Sequence, residues 1–298
     1  MKAEGFQFEE LKQQWHHAVE AGRLDEALEI LDGAFDLVRE ESEPRLVDLV
    51  ICDRAAVAIE LGRGGAEIPR LREILVRNAD TANCRVAAYN IARFHELNKD
   101  YKKALFYARI ARDRSELLGR RDWLASSHNL IGNTLLAESF VDKAQAEYEE
   151  ALRCMPSDPN PARARILDNL GYCCILQGRH QEGFSHLYES LRILNRFGAE
   201  RYQISTRLDL CFAHLEVGRY RDALRHGAAA LELAEKMDEP QSIKNALYLL
   251  GEVAHLKGDM DEAHDHFERL QRTFFPEASY LPGFLLAVDV RKLVNLHA

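Results

Sequence analysis

The sequence predicts an all-α fold: a right-handed superhelical solenoid of seven antiparallel helix pairs, with one further helix at the end. Three observations predict it. A short phrase returns at a nearly fixed interval, as Gly22-Arg-Leu-Asp-Glu-Ala27, Gly178-Arg-His-Gln-Glu-Gly183, Gly218-Arg-Tyr-Arg-Asp-Ala223 and Gly258-Asp-Met-Asp-Glu-Ala263. With weaker copies ending at Ala66, Ala104 and Ala144, these anchors step by about 39 or 40 residues, the mark of stacked repeats. Small residues recur twelve positions before the anchor, at Ala92, Gly132, Gly171, Cys211 and Gly251. Each repeat reads as a first helix (A) carrying the small residue and a second helix (B) carrying the anchor.

The elements follow in order. The first copy, anchored at Ala27, begins close to the start of the chain. In the second, Gly62-Arg-Gly-Gly65 replaces the tight turn, which predicts a longer loop and a helix B starting near Pro69. The fourth copy shows the unit most fully. Helix A is expected over 121–137 and helix B over 141–154, ended by Pro156. Pro44, Pro161 and Pro240 stand 22 or 23 residues before their anchors. Proline is accommodated in the first turn of a helix, where its missing N–H has no intrahelical partner, so these residues mark the starts of helix A. Glycine inside a helix costs about 1 kcal/mol relative to alanine. Its return at one register therefore predicts a close approach of helix B. Beyond Arg272 the grammar stops. Residues 1–275 form the repeat array, and 276–298 carry a terminal amphipathic helix over 284–296. Its apolar residues (Phe284, Leu285, Leu286, Val288, Val290, Leu293, Val294 and Leu296) lie on more than one side. That predicts a cap with a partly exposed face or, as the alternative, a homodimer through this helix.

The repeat resembles the tetratricopeptide family. Ile131-Gly132, Ala144, Tyr148, Ala151 and Pro156 fall where that motif has Leu-Gly, Ala, an aromatic, Ala and Pro. The resemblance runs from about Phe8 to Arg272. It departs in period, since the common repeat has 34 residues; longer repeats occur in kinesin light chains, spindle-orientation adaptors and bacterial Rap-type peptide receptors. The resemblance implies that helix A lines an inner, concave face and that the chain binds a peptide or protein there without catalysis.

Composition limits the partners. The net charge of −9 comes from interspersed acids and bases, without the clustered Lys/Arg surface that nucleic acid requires. No apolar stretch has membrane-spanning length, and the acidic start (Glu9, Glu10) is unlike a signal peptide. The six cysteines lie in helical patterns and read as buried free thiols, which suits a cytoplasmic setting. Neighbouring Cys173 and Cys174 point about 100° apart on a helix. His264 and His266 miss the i, i+4 spacing of a helical metal pair, as do His16 and His17. No phosphate loop, dinucleotide fingerprint, metalloprotease motif or nucleophile elbow is present. No cofactor, metal or catalytic site is expected.

The polar signal lies on helix A. Asn90, Asn129, Asn169 and Asp209 recur at one register, and Arg93, Asn133, Tyr172 and Phe212 follow close behind them. Asn245, Tyr248 and Glu252 continue the stripe in the last full repeat, and Arg165 adds a basic residue beside it. Asparagine competes with its own backbone in a helix, so a column of it calls for an offsetting role. Two roles fit: amides that hold the backbone of an extended peptide, with the aromatics as side-chain pockets, or amides that bridge adjacent repeats. Arg93, Asn133 and Arg165 supply fragments of the carboxylate clamp of chaperone-binding relatives, but the basic residues do not recur at its registers. An assembly scaffold acting through its ends is the alternative function. The sensor domain of a transcription regulator is a third reading, weakened because the repeats begin almost at once.

Overall fold

In the computed structural model, which describes residues 2–39, 44–291 and 294–297, every regular element is helical. The helices follow as seven A/B pairs: α1 (Lys2–Glu20) with α2 (Leu24–Arg39), α3 (Pro44–Glu60) with α4 (Ile68–Arg77), α5 (Thr81–Leu97) with α6 (Tyr101–Leu117), α7 (Arg121–Ala137) with α8 (Val141–Cys154), α9 (Pro161–Leu176) with α10 (His180–Arg196), α11 (Glu200–Glu216) with α12 (Tyr220–Lys236), and α13 (Pro240–Lys257) with α14 (Met260–Phe274). A short α15 (Leu281–Ala287) follows. The chain divides into two compact units, residues 1–138 and 139–298.

The recurring phrase has a local cause. Its glycine closes helix A in the left-handed region, with φ of 73° at Gly22, 75° at Gly178, 69° at Gly218 and 90° at Gly258. Lys99 and Ser139 take the same conformation in the weaker copies, at φ 58° and 63°. The next helix then starts two residues on, and side-chain caps hold several starts. The Asp80 carboxylate accepts from the Asn83 N–H at 2.8 Å, and the Asn160 side chain accepts from the Arg163 N–H at 2.9 Å. Pro44, Pro161 and Pro240 are each the first residue of their helix A, as predicted.

The small residues mark close crossings. A Cβ on Gly171 of α9 would stand 2.8 Å from Cγ of Leu187 and 3.1 Å from the carbonyl oxygen of Gly183, both on α10. A Cβ on Gly251 of α13 would overlap the Phe267 ring of α14. The anchors Ala27, Ala104, Ala144, Ala223 and Ala263 are fully buried. Ala66 is not: it is exposed, in a 3-10 turn over Gly64–Ala66. The extra loop residues delay α4, and Leu71, fully buried in its first turn, takes the anchor's place.

In the first unit α3 packs on α2 and α5, and α5 on α6, around Trp15, Leu31, Leu71 and Ile91. In the second, α9, α11 and α13 pack side by side, each with its own helix B behind it. Five cysteines are buried as expected, but Cys154, near the end of α8, is only partly so.

The terminal helix differs most from expectation. It spans Leu281–Ala287 rather than 284–296, and Val288 is already extended (φ −130°, ψ 121°). No described residue beyond Ala287 is helical; Lys292 and Leu293, which the expected helix also covered, lie outside the described residues. Val290 and Leu296 are buried, whereas Phe284, Val288 and Val294 are exposed. With no helix B behind it, this stretch has no apolar stripe to match, and its β-branched valines suit extended backbone.

Candidate functional site

Three successive A helices of the second unit meet on residues 289–291 and 294–297. On α11, Asp209 is 1% exposed, and its oxygens accept from His297 Nε2 at 3.0 and 3.2 Å. On α9, the His297 ring lies over buried Tyr172, centroids 4.3 Å apart, and the Leu296 backbone bonds the Tyr172 hydroxyl. The Phe212 ring of α11 stands 5.6 Å from the Tyr172 ring, tilted against it. On α13, Asn245 Nδ2 donates to the Leu296 carbonyl at 3.0 Å. Arg291 reaches Glu252 of α13 at 3.9 Å and Glu216 of α11 at 3.7 Å, and is gripped by its neighbour Asp289 at 2.7 Å. Beside Asn245 and Tyr248 a cavity of about 240 Å³ is closed by Leu285, Val294 and Asn295.

The face is acidic, and three of its carboxylates, Asp168, Asp209 and Glu252, are buried. Asp168, next to Asn169 on α9, is buried; one carboxylate oxygen accepts from Ser205 Oγ at 3.0 Å and the other has no partner. Burial and then the nearby Asp209 push its pKa up to about 8. Burial likewise raises Glu252 to about 7, against the pull of Arg291, and one of its oxygens is unpartnered. Burial opposes charge on His297, but Asp209 and Asp168 outweigh it and hold that imidazole above its ordinary value. Burial also raises the Tyr172 and Tyr248 phenols.

Of the predicted site residues, the structure thus brings Tyr172, Asp209, Phe212, Asn245, Tyr248 and Glu252 together in one unit. Asn169 is half-buried on α9 beside them, and Arg165 is exposed with its guanidinium over the Tyr202 ring at 5.0 Å. In the first unit the bridging role is realised at Asn90. This side chain is 3% exposed and donates to the Cys52 carbonyl of α3 at 2.8 Å. Arg93 pairs with Glu60 of α3 at 2.7 Å. Asn129 is buried and Asn133 half-buried on α7. Sequence reasoning missed Asp168, Arg291 and His297. The signal was there, in acids on three A helices and basic residues confined to the end of an otherwise apolar stretch.

Two other clusters have packing explanations. The Tyr188 hydroxyl lies 2.7 Å from His214 Nε2, and the His214 and His226 rings stack at 5.6 Å. Burial lowers both histidines, His226 to about 4, so they are neutral at pH 7. Cys174, Glu182 and His186 bring potential ligand atoms within 4.8 Å, but Arg179 already occupies the Glu182 carboxylate at 2.6 Å. No described helix is long and apolar enough to cross a membrane.

The tetratricopeptide-repeat family profile matches residues 162–236 and 202–273, the stretch that carries this face. These residues are tetratricopeptide repeats. Before them, the third and fourth pairs follow the same grammar of left-handed turn, buried anchor and small residue, with Lys99, Ala104 and Ala92 in one and Ser139, Ala144 and Gly132 in the other. Among known proteins, the chain is 26% identical over 170 residues to outer dynein arm-docking complex subunit 4 of Danio rerio, covering 56% of this chain and 34% of that one. The chain therefore spans about a third of that relative's length. The fold is also similar to that of NprR in complex with its cognate peptide NprX (TM-score 0.70, 13% identity, 95% of this chain and 84% of that one). It is similar to the apo form of RapI (0.66, 13%, 96% and 83%) as well. A third likeness is to the Rap conjugation gene regulator of plasmid pLS20 in complex with the Phr* peptide (0.60, 16%, 96% and 79%). At these identities the structural likenesses speak to fold.

Proposed function

We propose that the chain is a non-enzymatic adaptor or receptor that takes up an extended stretch of polypeptide on the A-helix face of residues 139–298. The observation that carries this reading is the convergence of Tyr172, Asp209, Asn245 and Glu252, from three successive A helices, on the non-helical stretch that carries Arg291, Leu296 and His297. An amide such as Asn245 offers both a donor and an acceptor to a passing main chain, and Tyr172 and Phe212 supply flat apolar surface. Relatives of this fold solved with peptides, NprR and the plasmid-encoded Rap regulator, support the same use. The dynein-arm docking relative supports a protein partner. Asn169, Tyr172, Asp209, Phe212, Asn245, Tyr248 and Glu252 are the proposed contact residues.

The test is a peptide array probed with the full chain, followed by titration of each captured peptide against Tyr172→Ala and Asn245→Ala. Binding should weaken at least tenfold while helical content by circular dichroism stays the same. Captured peptides indifferent to both substitutions would remove the face from the reading. A second reading, self-association around α15, is favoured by the exposure of Tyr280, Phe284 and Val288; light scattering across concentration decides it.

A further inference from the structure

Resting on that reading, we infer that residues 288–291 and 294–297 are an internal occupant of this face, and that the outside ligand displacing them is a peptide with basic side chains spaced like Arg291 and His297. The charges come first. Asp168, Asp209, Glu216 and Glu252 reach one face from α9, α11 and α13, and the first two and the last are buried. Among the described residues, the cations that pair with Asp209, Glu216 and Glu252 are Arg291 and His297. Asp209 and Glu252 lose these partners when the segment leaves, and buried carboxylates without a partner are costly, so a ligand that brings its own cations to the same places is favoured. An acidic or purely apolar peptide would strand them.

The segment is also built to leave. Among the described residues its buried apolar side chains are Val290 and Leu296, beside the ring contact of His297 and the hydrogen bond from Asn245 to the Leu296 carbonyl. Arg291 stands 3.7 to 3.9 Å from its acidic partners, and Val288 and Val294 remain exposed. Ordering extended backbone costs conformational entropy at every residue, and these contacts are a small return for it. What favours docking is tethering: an attached segment acts at an effective concentration of roughly millimolar. A free peptide competes against that concentration, so the segment sets a threshold on affinity and excludes ligands that lack the cations.

The experiment uses the full chain and a fluorescein-labelled synthetic peptide with the sequence of residues 286–298. The Arg291→Ala/His297→Ala chain should bind this peptide at least tenfold more tightly than the wild type, whose face is already filled. Adding Asp209→Asn and Glu252→Gln to that chain should reverse the gain by at least tenfold. The same peptide with glutamate in place of its arginine and histidine should fail to bind. Hydrogen exchange on the unlabelled chains should show the amides of 288–291 and 294–297 protected in the wild type and exchanging faster in Arg291→Ala/His297→Ala, with α9–α14 unchanged. Equal peptide affinity for the wild-type and Arg291→Ala/His297→Ala chains would overturn the inference, as would free exchange of 288–291 and 294–297 in the wild type. Array peptides that need Tyr172 but carry no basic residue would overturn it too, while leaving the binding face intact. Captured peptides indifferent to Tyr172 and Asn245 would instead remove the face itself.

Discussion

Single side chains decide both the crossings and the chemistry. At Gly171 the recurrence of a small residue predicts a close approach of helix B, which alanine should fit far better than leucine. The 2.8 Å approach of a Cβ to Leu187 and its 3.1 Å approach to the Gly183 carbonyl oxygen tighten that expectation. Leu187 can shift, but the carbonyl is backbone, so Gly171→Ala should itself cost about 1–3 kcal/mol, read as a lower urea midpoint with an unchanged slope. An unchanged midpoint would mean that α9 and α10 separate easily. The buried acids make a second prediction. Glu252 at about 7 and Asp168 at about 8 keep protons in the folded chain that ordinary carboxylates of the unfolded chain have lost. Their folded pKa values lie above the unfolded ones, so stability falls as pH rises through that interval. His297 has the same sign: its raised pKa stabilises fully below the ordinary imidazole value and is lost above the folded one. The melting temperature should therefore be higher at pH 5.5 than at pH 8, and Glu252→Gln should flatten the slope. A melting temperature that rises with pH would contradict these shifts.

At the scale of the element, the second pair is the informative exception. Gly64, in the turn between α3 and α4, is buried, and a Cβ there would come 3.0 Å from Cα of Ile59 and overlap its side chain. Gly64→Ala should cost about 1–3 kcal/mol through overpacking, whereas exposed Gly65, whose Cβ would meet nothing closer than Phe94 at 3.9 Å, should accept alanine with little change in thermal melting. Equal effects at the two positions would mean that the turn is not held against α3. This turn also marks where sequence ran short. Helix starts at Pro44, Pro161 and Pro240, and both helices of the fourth pair, were legible because proline and the small residues have one local cause wherever they occur. Ala66 was misplaced because an inserted loop preserves the spacing of the letters but not the register of the helix. The end of the chain was misread for a related reason. Its apolar residues are dense enough to fit a helix, but Val290 and Leu296 are buried within non-helical backbone, which no local pattern records. Half of the contact face was legible as a polar register. The rest depends on a return of the chain across 88 residues, from Asp209 to His297.

At the scale of the molecule, a repeat array distributes stability differently from a single core. Within residues 139–298, α13 packs against α11, α12 and α14, and α14 against α13 and α15. Each helix depends on its neighbours in the stack, so stability is close to a sum of pair and nearest-neighbour terms. Damage to one pair should spread one pair and then fade. Gly251→Leu is the sharpest probe, because the new side chain is driven into the Phe267 ring, one of the largest fully buried groups in the chain. Native-state hydrogen exchange should show the largest loss of protection in α13, α14 and α15. The loss should be smaller in α11 and α12 and smallest in α9 and α10. Arg291 and Leu296 should lose protection with α13, since Glu252 and Asn245 hold them there. A uniform loss from α9 through α14 would mean that these pairs unfold as one cooperative block. The contact face would then be set by the whole unit rather than by three helices in turn.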